Sequence, residues 1–263
     1  MALTFTDGLV LFAVVLTALF TAILMVFKDK KVNNRVINVT MARKLLLTSI
    51  ALGLIILYVE LSTNFRAEYS VMYYVLITVM GALMVIPIIM SNANELTKLA
   101  LPSIMVMHLD ILFSELSASG ISLGEGSEMV KAMYDLGRWY FQYAHAPTYN
   151  PFPTTAYVVV SLSRLLNMPW YSSTPWDIYY PIFIIAYDLT MYMLTLHLTK
   201  SRVASLVATL LVNTTPEVAL TLNPYQYLSD MLMIIALTAF VKFVNNKETM
   251  SMAVAAITYT AAI

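Results

Sequence analysis

The chain has 263 residues, of which 60% are apolar and 11% charged, against roughly 45–50% and about 25% in soluble globular proteins. Those proportions exclude a water-soluble domain. Fifteen basic and fifteen acidic residues cancel to zero net charge without forming a long basic run, so nothing argues for a nucleic-acid partner, and the lack of cysteine excludes disulfides, thiolate metal sites and cysteine nucleophiles.

A helix that crosses a bilayer takes about 20 mostly apolar residues, and runs of that kind fall near 8–27, 45–62, 71–90, 97–113, 178–199, 203–221, 226–243 and 249–263. They predict an all-α polytopic membrane helix bundle of about 7–8 spans. The first run has neither a basic leader nor a small-residue cleavage pattern, so it reads as a span rather than a signal peptide. In the fourth, which is short, Pro102 fits a first helical turn or a kink. The last run stops at Ile263 with no polar flank, which predicts a longer parent protein cut within a helix.

Cytoplasmic loops retain Lys and Arg. Lys28, Lys30, Lys31, Arg35, Arg43 and Lys44 place the first connection inside and the amino terminus outside. Counting alternately from there, Lys98, Lys200, Arg202, Lys242 and Lys247 also fall inside, while Arg66, Lys131, Arg138 and Arg164 fall outside. Most acids, among them Glu68, Asp110, Glu115, Glu125, Glu128, Asp135, Asp177, Glu217 and Asp230, land outside or near the outer ends of spans. The expected setting is an integral, multi-pass cell-membrane protein with one long extracytoplasmic loop, 114–177.

That loop is the one extended polar stretch, and long loops in compact proteins are more often functional than idle. It opens with a soft segment from Ser117 to Ser127 that holds Gly120, Gly124 and Gly126, followed by a short helix over 128–144 with Met129, Met133, Leu136 and Tyr140 at helical spacing. Pro147, Pro151 and Pro153 make an extended, rigid turn. Residues 154–168 then predict an apolar helix too short to span, lying in the interface with Trp170, Tyr171, Trp176, Tyr179 and Tyr180 as its aromatic belt.

His108-Leu109-Asp110, Leu136-Gly137-Arg138-Trp139, the turn Tyr149-Asn150-Pro151-Phe152-Pro153, the segment from Leu162 to Pro169, and the later Pro216-Glu217 and Asn223-Pro224-Tyr225 stand in an order that resembles the GT-C glycosyltransferase superfamily, especially its archaeal members. The likeness covers about residues 97–263, which divides the chain into amino-terminal transmembrane helices over 1–96 and a GT-C-like core over 97–263. It implies a membrane-embedded active site on the outer face that takes a sugar from a polyprenyl-phosphate carrier and passes it to a protein or lipid acceptor. Asp110 matches the family's acidic residue, a general base or metal-coordinating carboxylate. Glu217 or Asp230 stands for the second acidic position, and a carboxylate pair could hold Mg²⁺ or Mn²⁺. Arg138, His145, Tyr149 and Glu115 complete the expected substrate-binding set. The chain departs from the family in lacking an acidic pair at Asp110, in the long spacing from Asp110 to Gly137, and in the three spans that precede the motif.

Each residue also has a plainer reading. Asp110 could be an acid wetted by headgroups, Arg138 a snorkelling arginine, and His108 a satisfied polar group between helices. His108, His145 and His197 do not provide the facing imidazoles of a haem site. Asp188, within the fifth run, is the acid placed deepest in the membrane and supports the alternative of a transporter. No inverted repeat of hydropathy accompanies it. A non-catalytic membrane scaffold is the third reading.

Overall fold

The computed structural model describes residues 37–63, 71–91, 93–119, 124–137, 153–172, 174–212 and 224–262. Among them it has nine helices and no strand: α1 (Val39–Thr63), α2 (Val71–Met90), α3 (Ala93–Ser119), α4 (Gly124–Leu136), α5 (Pro153–Leu165), α6 (Thr174–Thr199), α7 (Arg202–Val212), α8 (Pro224–Asn246) and α9 (Thr249–Ala262).

Four of these helices are long and apolar enough to cross a membrane, over Val39–Glu60, Met72–Met90, Glu95–Ser114 and Ile178–Thr199. Their outward faces carry side chains that water would not solvate: Leu54 is 51% exposed, Ile55 61%, Tyr58 72% and Met72 69%. Bare apolar surface of this extent marks a membrane protein whose solvent is lipid. The other expected spans have no such helix among the described residues. The run at 8–27 lies outside them, α7 is only 11 residues long, and α8 and α9, of 23 and 14 residues, are helical but not among the four.

Proline interrupts none of the long helices. Pro87, Pro102 and Pro181 all sit inside helices, in α2, α3 and α6. Membrane helices tolerate the lost N–H because neighbouring helices and hydroxyls satisfy the freed carbonyl. Pro102 therefore does not mark a helix start. α3 begins nine residues earlier and runs to Ser119, over the first three residues of the expected soft segment.

The helices fall into two compact units, one holding α1, α2, α3 and α7 and the other α4, α5, α6, α8 and α9. In the first unit, α1 buries Ala42, Leu46, Ser49, Gly53, Ile56 and Glu60, alternating steps of four and three residues that trace a single seam. The seam of α3 has the same rhythm through Leu96, Ala100, Ser103, Met107, Asp110 and Ser114. The two meet where Ser103 Oγ donates to Ser49 Oγ at 3.0 Å and Ser49 Oγ donates to the Met80 carbonyl at 3.3 Å, tying α1, α2 and α3 together at one level. Such small hydroxyl-bearing residues let membrane helices approach closely. Ser49 faces Ser103 and Gly53 faces Val106 and Asp110, so α1 and α3 run parallel, with α2 packed antiparallel against both.

In the second unit α4 and α5 form a packed pair. Met129, Met133 and Leu136 predict a helix continuing to residue 144, but α4 ends at Leu136, where Gly137 takes a positive φ of 66° and its N–H bonds to the Met133 carbonyl at 3.0 Å. A glycine at that position is the usual helix stop. Arg164 of α5 donates to the Tyr134 carbonyl at 2.7 Å with its guanidinium 5.7 Å from the Tyr134 ring, and the Tyr134 hydroxyl donates to the Met168 carbonyl at 3.1 Å. These contacts fasten the end of each short helix to its neighbour. α5 opens on Pro153, whose missing N–H costs nothing in a first turn.

α8 and α9 make a helical hairpin turned by Lys247 in the left-handed region at φ 58°. Lys242 Nζ lies 3.0 Å from Glu248 Oε2, and Ser251 Oγ donates to the same oxygen at 3.1 Å. The Lys242 hydrogen bond, with help from Ser251, holds the Glu248 carboxyl below the ordinary glutamate range. A depressed carboxyl contributes to the turn above its unfolded value, near pH 4.3, and loses that contribution as pH falls through the folded value. A carbon-detected NMR titration should therefore find the Glu248 midpoint below about 4.3, and Lys242→Gln should move it upward. An unmoved midpoint in that variant would show that the pair does not form.

Candidate functional site

Asp110, the residue that carries most of the chemical expectation, lies on the α3 seam with none of its surface exposed. Neither carboxylate oxygen has a hydrogen-bond partner among the described residues. Its Oδ2 is directed at α1, where it stands 3.0 Å from the position that a Cβ on Gly53 would occupy. The carboxylate can approach the α1 backbone because residue 53 has no side chain.

Two turns further along the α1 seam is Glu60, 5% exposed, whose oxygens are likewise buried without a partner among the described residues. Glu60 and Asp110 are near enough to act on each other electrostatically, and both act on the Tyr73 phenol of α2. Tyr73 is 5% exposed, and its hydroxyl donates to the Asp110 main-chain carbonyl at 3.3 Å. Two carboxyls thus lie buried on the α1 and α3 seams, with the Tyr73 phenol bonded to the Asp110 main chain, inside helices of membrane-crossing length. A buried carboxylate left without donors is costly, so an arrangement of this kind is retained for a use more often than for stability.

Glu60 was not among the residues picked out in the sequence. It stands at the end of an apolar run, where an acid ordinarily reaches the headgroups. The seam spacing 42, 46, 49, 53, 56, 60 is the signal that finds it.

Of the remaining expected residues, few have described side chains. Asp230 is exposed on α8, in the other unit. The backbone of Glu115 continues α3, but its side chain lies outside the described residues, as do Arg138, His145, Tyr149 and Glu217. His108 is buried beside Asp110 in sequence, at 1% exposure, as a polar group between helices. Asp188 is fully buried on α6. His197 spends its Nδ1–H on the Met193 carbonyl at 2.8 Å, an ordinary helix-internal bond.

Among the described residues no group of three or more His, Asp or Glu is placed to hold a metal ion. Among the described side chains, Glu60 and Asp110 alone do not make the six-oxygen shell that Mg²⁺ requires. A cavity of about 490 Å³ in the second unit is lined by Leu189, Met193, Thr238, Lys242, Glu248 and Val254 among others. Its charged pair neutralises itself, and its walls are apolar. No family model, curated protein or solved structure matches the chain.

Proposed function

We propose that the chain is a membrane glycosyltransferase of the GT-C type, or the amino-terminal part of one, that moves a sugar from a polyprenyl-phosphate carrier to a protein or lipid acceptor at the outer face. The observation that carries this reading is the uncommitted carboxylate of Asp110, buried in a membrane-length helix whose chain continues into two short helices packed on each other. The resemblance in sequence begins at that acid and runs through that helix pair.

In the proposed reaction the acceptor hydroxyl gives its proton to Asp110 as its oxygen attacks the sugar's anomeric carbon. The bond from that carbon to the phosphate oxygen breaks, and polyprenyl phosphate departs with the electron pair. A base placed for this step is worth about 10²- to 10⁴-fold in rate. Arg138, His145 and Tyr149 are assigned to the carrier phosphate, where a guanidinium offers a bidentate fork to the leaving oxygens. Glu217 and Glu115, whose side chains lie outside the described residues, are assigned to the acceptor side. Lipids of the surrounding membrane deliver the carrier.

The test is incorporation of a labelled hexose from a polyprenyl-phosphate donor by the full-length protein in native membranes. Transfer supports the reading. Absence of transfer with hexosyl carriers, together with solute flux in proteoliposomes that vanishes in Asp188→Asn, would replace it with the transport reading.

A further inference from the structure

We propose that the cavity between α6 and the α8–α9 hairpin is a binding site for one membrane phospholipid, with a hydrocarbon chain in the groove and a zwitterionic headgroup on the Lys242–Glu248 pair at its rim. The site shares no residue with the proposed transfer reaction and goes beyond it.

α8 and α9 pack on each other, whereas α6 stands off both, and the space left is the cavity of about 490 Å³. Ligand pockets run about 300–1,000 Å³. Its walls are Leu189 and Met193 of α6, Ile235 and Ala239 of α8, and Val254 of α9. The hydroxyls among them are spent on their own helices, Thr190 Oγ1 donating to the Tyr187 carbonyl at 2.8 Å and Thr238 Oγ1 to the Ile234 carbonyl at 2.7 Å. Such walls offer water nothing to bind. Leu189 and Met193 remain 43% exposed on a helix of membrane-crossing length, and Val254 38% exposed opposite them, so the groove opens sideways where lipid is the solvent. A bilayer chain gains no hydrophobic free energy by moving in, because the bilayer is equally apolar. What it gains is dispersion contact with walls that otherwise face a void.

The headgroup follows from the rim. Lys242 Nζ lies 3.0 Å from Glu248 Oε2, and the two side chains are 42% and 46% exposed, so both can reach a group outside the cavity while staying paired. An ammonium has three donors, and Lys242 spends one of them on Glu248. Glu248 Oε2 accepts from Lys242 and Ser251, whereas Oε1 is met by Asn246 Nδ2 at 3.5 Å, too far for a strong hydrogen bond. A cation with donors to spare thus stands beside an anion with an acceptor to spare, and the pair has no net charge. A phosphate and an ammonium on one headgroup complement it: the phosphate accepts from Lys242, and the ammonium donates to Glu248 Oε1. An anionic headgroup would set its charge against Glu248. Lys247 lies over the Phe243 ring at 5.9 Å and does not line the cavity.

The test places the full chain in phosphatidylglycerol vesicles carrying a trace of phosphatidylethanolamine with a diazirine on its acyl chain. After irradiation, peptide mass spectrometry should find adducts on Leu189, Met193, Ile235 or Val254. Replacing part of the host lipid by unlabelled phosphatidylethanolamine should remove these adducts saturably, while adducts on the outward face of α1, at Leu54 and Ile55, fall only in proportion to dilution. The preference over phosphatidylglycerol should be about three- to fivefold, the scale of a half-exposed charge interaction. Ala239→Phe, and Leu189→Trp from the opposite wall, should each abolish the groove adducts and leave those on α1. Two variants on different helices separate filling of the groove from damage to the hairpin. Glu248→Gln leaves the rim positive and should turn the preference toward phosphatidylglycerol.

Groove adducts that dilute in step with those on α1 would identify ordinary surrounding lipid and overturn the site. Their absence while α1 is labelled would show the groove covered by protein, a second copy or another segment, and would equally overturn it. Equal competition by the two lipids, unchanged in Glu248→Gln, would overturn the headgroup assignment. Since no sugar donor enters the experiment, its failure is separate from any failure of the transferase reading.

Discussion

Asp110→Ala is expected to reduce sugar transfer by the full-length protein about 10²- to 10⁴-fold, the usual worth of a positioned general base, while leaving the protein expressed and folded. The fold should survive because the lost carboxylate makes no hydrogen bond among the described residues that the bundle would miss. The rate should not survive, because no other described acid on α3 points into the same interface. Asp110→Asn sharpens the comparison. It keeps the side-chain volume and removes the basic oxygen, so a loss equal to that of the alanine variant assigns the effect to proton transfer rather than to packing. Normal turnover in either variant would remove Asp110 from the mechanism.

Gly53→Ala should destabilise the α1–α2–α3 bundle by about 1–3 kcal/mol, the common cost of forcing extra volume into a packed interior. A Cβ at residue 53 would stand 2.5 Å from Val106 Cγ1 and 2.6 Å from Met80 Cε. The methionine end can swing aside, but a β-branched valine in a helix holds essentially one rotamer, so α1 must retreat from α3. The retreat would also draw the α1 backbone away from Asp110. Thermal unfolding in detergent should show the loss, and Val106→Ala should restore part of it when combined with Gly53→Ala, because contacting residues couple. An alanine variant as stable as the parent would show that the helices do not meet at this glycine.

The parts of the structure legible in the sequence are those governed by hydropathy over a whole turn or more. α1, α2, α3 and α6 lie on four of the predicted runs, and α5, over Pro153–Leu165, falls within residues of its expected position because proline at its start and apolar periodicity agree. What was illegible depends on pairs of residues distant in sequence. Gly53 is unremarkable until Val106 and Asp110 are placed against it. Glu60 reads as an interfacial acid until the α1 seam turns it inward. Pro102 reads as punctuation because a soluble helix would break there, whereas within packed membrane helices it is absorbed. Gly137 was visible as part of a motif but not as a helix stop, since the apolar spacing around it continued to residue 140.

Asp110 was legible for a physical reason that did not require neighbours, since a charge in the middle of an apolar run is costly wherever the helix packs. Its companion was not, and a single-sequence reading assigned the second acid to Glu217 or Asp230. Asp230 is exposed on α8, Glu217 lies outside the described residues, and Glu60 is a further buried acid on the α1 seam.

The account needs the Asp110 end of the α1–α2–α3 bundle, and the segment that follows α3, to face the outside of the cell, where a lipid-linked sugar would be presented. The natural absence of cysteine makes this directly measurable with single introduced cysteines and a membrane-impermeant maleimide on intact cells. Ser172→Cys, in the segment after α5, should be labelled without permeabilisation, and Asn246→Cys, in the α8–α9 turn, should be labelled only after it. Labelling of Asn246→Cys but not Ser172→Cys on intact cells would invert the orientation and contradict the proposed reaction at the outer face.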